Sequence, residues 1–133
     1  MKTLIQTSAL ALIAVFMMSV SVMATSPDRT TEKAREAVSK AAPDDWETLA
    51  ESAHMCFKKG VNLKEAKAWL DTSLEIKESA LGHEVAGDYY MSNKLYEQAI
   101  TSYVKSMKLL KQKDFYADTD VLQSKIDKAK KKL

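Results

Sequence analysis

The sequence predicts an all-α fold of short antiparallel helix pairs closed by a C-terminal capping helix. Three observations carry that expectation. Only three glycines and two prolines punctuate 133 residues. Runs of β-branched residues are missing, and apolar side chains recur at steps of three and four. Connections between the periodic segments are only a few residues long, which sets consecutive helices antiparallel.

The N-terminus reads differently from the rest. Lys2 precedes the apolar run "ALALIAVFMM" (9–18) and then "SVSVMA", where Val22 and Ala24 are small residues at the third-last and last positions before a cut. This is the layout of a signal peptide over residues 1–24, with cleavage expected between Ala24 and Thr25. The alternative is a retained anchor, but the run falls short of the roughly 20 apolar residues that span a bilayer. An exported chain, periplasmic or secreted, is therefore expected, with no transmembrane span after cleavage.

Near-neutral total charge, +2, hides a division. Residues 25–104 carry 10 basic and 14 acidic side chains, whereas residues 105–133 carry nine lysines against four aspartates. Cys56 is the single cysteine, so no intramolecular disulfide can form even though export would permit one. Packing alone must hold the chain.

The segment 25–43 has Ser26-Pro27 as a cap followed by proline at a first helical position. Its apolar residues are nearly all alanine, which predicts a weak helix or an arm ahead of the helical domain, 44–133. Pro43 ends it, and Asp44 with Glu47 forms a capping-box pattern for a helix carrying Trp46, Leu49, Ala50, Ala53, Cys56 and Phe57. Gly60 closes that helix. Asn62 caps the next, with Glu65 reaching back, ahead of Leu63, Ala66, Trp69, Leu70, Ser73, Leu74 and Ile76. Ser79 caps a third over 80–92. A fourth runs from about Leu95 to Gln112, and a fifth over 118–132 carries the stripe Leu122, Ile126, Ala129 and Leu133.

These segments repeat. Ala53 aligns with Gly87 and Cys56 with Tyr90 at a spacing of 34, while Ala66 meets Ala99, Leu70 meets Tyr103 and Ser73 meets Ser106 at 33. The one-residue slip falls in the turn. In period and in its alternation of small and large residues the chain resembles the tetratricopeptide repeat (TPR) family, over two units of about 46–79 and 80–113. His83 and Ala86 depart from that family's preferences for tryptophan and leucine, and neither unit ends in its usual proline. Small residues let helix backbones approach while large neighbours interdigitate. Two units fall below the usual minimum of three, so the 118–132 helix is expected to seal the stack.

Catalysis finds little support in the residue pattern. His54 and Cys56 are two apart on a helix and point to different sides, and His83 and Glu84 diverge likewise. Two histidines without a cysteine at ligand spacing predict no metal site; no cofactor is expected, and the chain is read as a non-enzyme.

What the resemblance implies instead is non-enzymatic protein–protein interaction, a scaffold whose unknown partner lies in a groove lined by first-helix side chains. By position these are Glu47, Ala50, His54, Phe57 and Lys58 from the first unit, and Leu81, Glu84, Asp88, Met91 and Ser92 from the second. Two alternatives stay open. One is self-association as a structural adaptor through the ends of the stack. The other is attachment to an anionic envelope surface through Lys125, Lys128, Lys130, Lys131 and Lys132. The lysine tail lacks arginine and interleaved aromatics, so nucleic acid is not expected.

Overall fold

The computed structural model describes residues 28–133. The expected signal peptide, its cut and the Ser26-Pro27 cap lie outside the described residues. Six helices follow in order: α1 (Arg29–Lys40), α2 (Trp46–Lys59), α3 (Leu63–Ile76), α4 (Ala80–Ser92), α5 (Tyr96–Lys113) and α6 (Asp120–Lys130). Among the described residues there is no strand. No described helix is long and apolar enough to cross a membrane.

Helix starts are set by side-chain acceptors that satisfy the first free N–H groups. Asp28 accepts from the backbone of Thr30 and Thr31, and Ser79 accepts from Gly82. For α2 the cap is Asp45 accepting from Thr48 N–H, one residue later than the Asp44 that the capping-box pattern indicates. Asn62 behaves differently from expectation. It sits at φ 49° and makes no side-chain cap. Its amide donates instead to Glu65, which also receives Arg35 from α1 at 2.7 Å. That contact, with the complete burial of Ala34, fixes α1 against the first helix pair.

α2–α3 and α4–α5 are two copies of one antiparallel pair. The hydroxyl of Ser73 donates to the carbonyl of Trp46, the first residue of α2. The hydroxyl of Ser106 donates to the carbonyl of Ala80, the first residue of α4. Ala66 and Ala99 are both fully buried where the backbones approach. The turns match as well: Val61 N–H donates to Cys56 C=O, and Leu95 N–H to Tyr90 C=O. Gly60 takes the left-handed position of the first turn at φ 68°, and Lys94 takes it in the second at φ 60°. Asn62 is the extra residue behind the 34-to-33 slip.

Burial divides into two connected cores. Ala34, Ala53, Cys56, Phe57, Ala66, Leu70, Val85 and Ala86 fill the first, and Ala99, Tyr103, Leu122 and Ile126 the second. Tyr90 packs against both. α6 therefore seals α5 with Leu122, Ile126 and Ala129, as its stripe predicts. Leu133 does not join them. It lies beyond the end of α6 and is 72% exposed.

The second pair's turn shows where the chain falls short of its optimum. Leu95 stands at the N-cap of α5 without a capping side chain. Its dihedrals (φ −91°, ψ 68°) nearly equal those of Asp45 (φ −78°, ψ 72°), which caps α2. Leu95→Asp is expected to raise stability by about 1 kcal/mol, read as a higher urea midpoint with an unchanged slope.

Candidate functional site

α2, α4 and α6 run parallel, so side chains one repeat apart come to share a face. Phe57 of α2 lies 5.0 Å from Tyr89 of α4, ring centre to ring centre, with both near their helices' C-terminal ends. On the same side Asp88 of α4 gathers three elements. The Tyr103 hydroxyl of α5 donates to its Oδ1 at 2.8 Å. Lys125 of α6 donates to both of its oxygens at 2.8 and 2.9 Å. His54 of α2 brings its Nε2 to 3.5 Å.

Glu84, one turn before Asp88 on α4, completes the cluster by accepting from Lys125 at 2.7 Å. The ammonium also lies 5.5 Å from the centre of the Tyr103 ring. Desolvation pulls the Lys125 pKa down, but the hydrogen bonds and charges of Asp88 and Glu84 outweigh it and hold it above its ordinary 10.5. Burial, reinforced by Asp88, pushes the Tyr103 phenol far up, so that it stays a neutral donor.

Beyond this bridge α4 and α6 separate and leave a shallow groove of about 450 Å³. Tyr96 and Tyr103 of α5 contribute to its lining, Met91 and Ser92 come from α4, and Lys128 and Lys132 come from the C-terminal segment. Its chemistry is an apolar and aromatic surface rimmed by cations. Asp88 and Glu84 are both engaged by Lys125, one cation for two carboxylates, while Lys128 and Lys132 make no ion pair among the described residues.

The expected groove residues thus separate. His54, Glu84, Asp88 and Met91 share the face. Glu47 is exposed at the opposite end of α2, and Lys58 is exposed at its C-terminal end. Phe57 is 9% exposed and packs on Tyr89 in the first core, so it offers a ligand little surface. Of the lysines read as surface-binding, Lys125 is the internal bridge, while Lys128, Lys130, Lys131 and Lys132 are exposed. Tyr96 and Tyr103 border the groove, although the repeat register aligns Tyr103 with the core residue Leu70.

Lys125 carried a signal in the sequence. It lies three residues after Leu122 and four before Ala129, on the flank of the apolar stripe, where a cation needs an acidic partner. Glu84 and Asp88, four apart, were that partner on one face of α4.

Cys56 is wholly buried, and desolvation pushes its thiol above the ordinary value. His54 points instead to Asp88, so the two do not pair.

A second shallow groove, about 500 Å³, opens on the other face, between the end of α3 and α5, with Leu74, His83, Tyr90 and Lys105 in its lining. Burial pushes the His83 imidazole below 6.5 and Lys105 adds to this, while Glu78, 3.8 Å away, opposes them. The unfolded chain therefore takes up this proton first on acidification. Stability is expected to fall as pH drops through about 6.5 toward the folded pKa. The depressed carboxylates of Glu36 and Glu65 act in a lower window, below about 4.5. Urea midpoints at pH 7.5 and 5.5 should differ in the wild type, and the difference should shrink in His83→Gln. An equal difference in both would refute the assignment.

No family model, no curated protein and no solved structure matches the chain.

Proposed function

We propose that this chain is an exported, non-enzymatic interaction module of TPR-like helix pairs that seats a segment of a partner protein between α4 and α6. The observation that carries this reading is the Lys125 bridge. It engages both acids of the face with one cation and holds α4, α5 and α6 in fixed relation. What remains for a ligand is the Met91 and Tyr96 surface beside Lys128 and Lys132. That combination suits an extended segment with an apolar side chain next to a carboxylate. Pre-formed sites of this kind spend little of their binding energy on ordering themselves.

Met91→Asp and Lys128→Glu test the proposal, since both residues line the groove; Lys128 is exposed, and Met91 is half-buried at the margin of the second core. Capture of a specific partner from the exported fraction by the wild-type chain should be lost with both variants at unchanged helical circular dichroism. Retention of that partner by both variants would overturn the groove reading.

A further inference from the structure

The antiparallel pairing brings the C-terminal ends of α2, α4 and α6 to one edge of the molecule. Phe57 meets Tyr89 near the ends of α2 and α4, and Lys132 lines the same groove as Met91 and Ser92 at the end of α4. α1 reaches this edge too: it lies antiparallel to α2, and its Arg35 bonds Glu65 in the first turn of α3.

Lysines collect there from separate parts of the sequence. Lys58 and Lys59 end α2, Lys64 opens α3, and Lys94 occupies the turn after α4. Lys130 and Lys131 end α6. All six are exposed, and none forms an ion pair among the described residues. Acids at this edge are fewer. Asp28 caps α1 and Glu65 is held by Arg35, leaving Glu32, Glu97 and Asp127.

The edge also presents aliphatic side chains. Leu63 and Leu95, each beside the turn of its helix pair, are 47% and 41% exposed, and Leu133 is exposed beyond α6. Met55, Ile76, Val104 and Val121 are exposed elsewhere, and the most exposed apolar residues, Phe115 and Tyr116, lie at the opposite edge. That pair sits among Asp114, Asp118 and Asp120, which an anionic surface repels. The opposite edge also carries lysines, Lys77, Lys111 and Lys113, but there they are mixed with these aspartates, whereas the lysine edge has fewer acids among the described residues.

We propose that this edge docks the protein on an anionic lipid bilayer, with the lysines at the headgroups and Leu63 and Leu95 entering the interface. Lysines near an anionic leaflet each improve partitioning about fivefold. Docking here leaves the α4–α6 groove facing sideways, and it stands independently of the groove reading.

Sedimentation with phosphatidylglycerol–phosphatidylcholine vesicles, against phosphatidylcholine alone, tests the proposal on the full chain. Any contribution of residues 1–27 is then common to every variant. Lys58→Gln, Lys59→Gln and Lys94→Gly combined should lower partitioning to the anionic vesicles about a hundredfold. The glycine also relieves the positive φ at 94, so unfolding would not account for the loss. Lys77→Gln, Lys111→Gln and Lys113→Gln, an equal charge change at the opposite edge, should alter it less than threefold. Leu95→Asp, expected to stabilise the fold, should lower it about tenfold. Equal loss with both triple variants would overturn the proposal, as would equal binding to the neutral vesicles. Binding to soluble polyphosphate with no vesicle binding would overturn it in favour of an anionic polymer. The groove variants Met91→Asp and Lys128→Glu probe different residues, so failure of either reading can be told from failure of the other.

Discussion

Alanine at Gly87 is expected to destabilise the chain by about 2 kcal/mol, even though alanine is the better helix former. A Cβ at this position would lie 2.8 Å from Cζ of Tyr103 and closer still to Cε1 and Cδ1. The ring has nowhere to retreat: Tyr103 is 1% exposed, and its hydroxyl is held by Asp88. Overpacking costs about 1–3 kcal/mol and occasionally more. The helix-propensity gain of about 1 kcal/mol offsets only part of it. Gly82, on the same helix, is the control. Its added Cβ would meet the end of the Leu74 side chain at 2.7 Å and the Ser79 hydroxyl at 3.0 Å. Leu74 is partly exposed and able to turn away, and Ser79 need give only by a few tenths of an ångström. Urea midpoints should therefore fall for Gly87→Ala and stay within about 0.5 kcal/mol of wild type for Gly82→Ala. Equal effects would contradict the close-contact account.

Lys125→Met is expected to cost about 1–3 kcal/mol and to loosen α6 before the rest of the fold. Methionine keeps the stem that lies by Tyr103 but leaves Glu84 and Asp88 facing each other without a cation. Stranding a buried charge costs about 3–5 kcal/mol. These side chains are 23–31% exposed, so water recovers part of that. Asp88→Asn retains an acceptor for Tyr103, and in combination with Lys125→Met it should cost less than the sum of the single variants. Hydrogen exchange should rise first in α6 in the lysine variant. Additive effects, or uniform exchange across all six helices, would show that the bridge does not hold α6.

Much of the architecture was legible because it depends on side-chain size at a fixed period. In the first pair Ala53 and Leu70 occupy the aligned positions, and in the second Gly87 and Tyr103 do. A smaller residue accompanies the larger one, so the helix spacing survives the exchange. Ser73 and Ser106 were legible as small residues, but not as donors to the carbonyls of Trp46 and Ala80. Their role needs the partner helix. Helix caps were less reliable, because Asp44 and Asp45 are adjacent acids and only backbone geometry selects between them. Asn62 was misleading for a related reason: its left-handed backbone turns the side chain toward Glu65, away from the free N–H groups.

The site was less legible than the fold. Glu84 and Asp88 share one face by spacing alone, yet their pairing with Lys125 joins residues 41 and 37 positions apart. Phe57 looked available at the edge of its stripe, but Tyr89, from the next pair, covers it. Tyr96 lies at the start of α5, and only the packing of α6 and the C-terminal segment beside α4 and α5 makes it part of a groove wall. Each difference arises from a contact between repeats, which the periodicity within one repeat does not encode.

The most direct test of the account places a photo-crosslinking residue at Met91, inside the α4–α6 groove, and separately at Thr101, in the groove on the opposite face. On irradiation in the cells that produce the chain, Met91 should yield a discrete crosslinked protein and Thr101 should not. Equal labelling from both positions, or a discrete product from Thr101 alone, would contradict the assignment of the partner to the face built around Asp88 and Lys125.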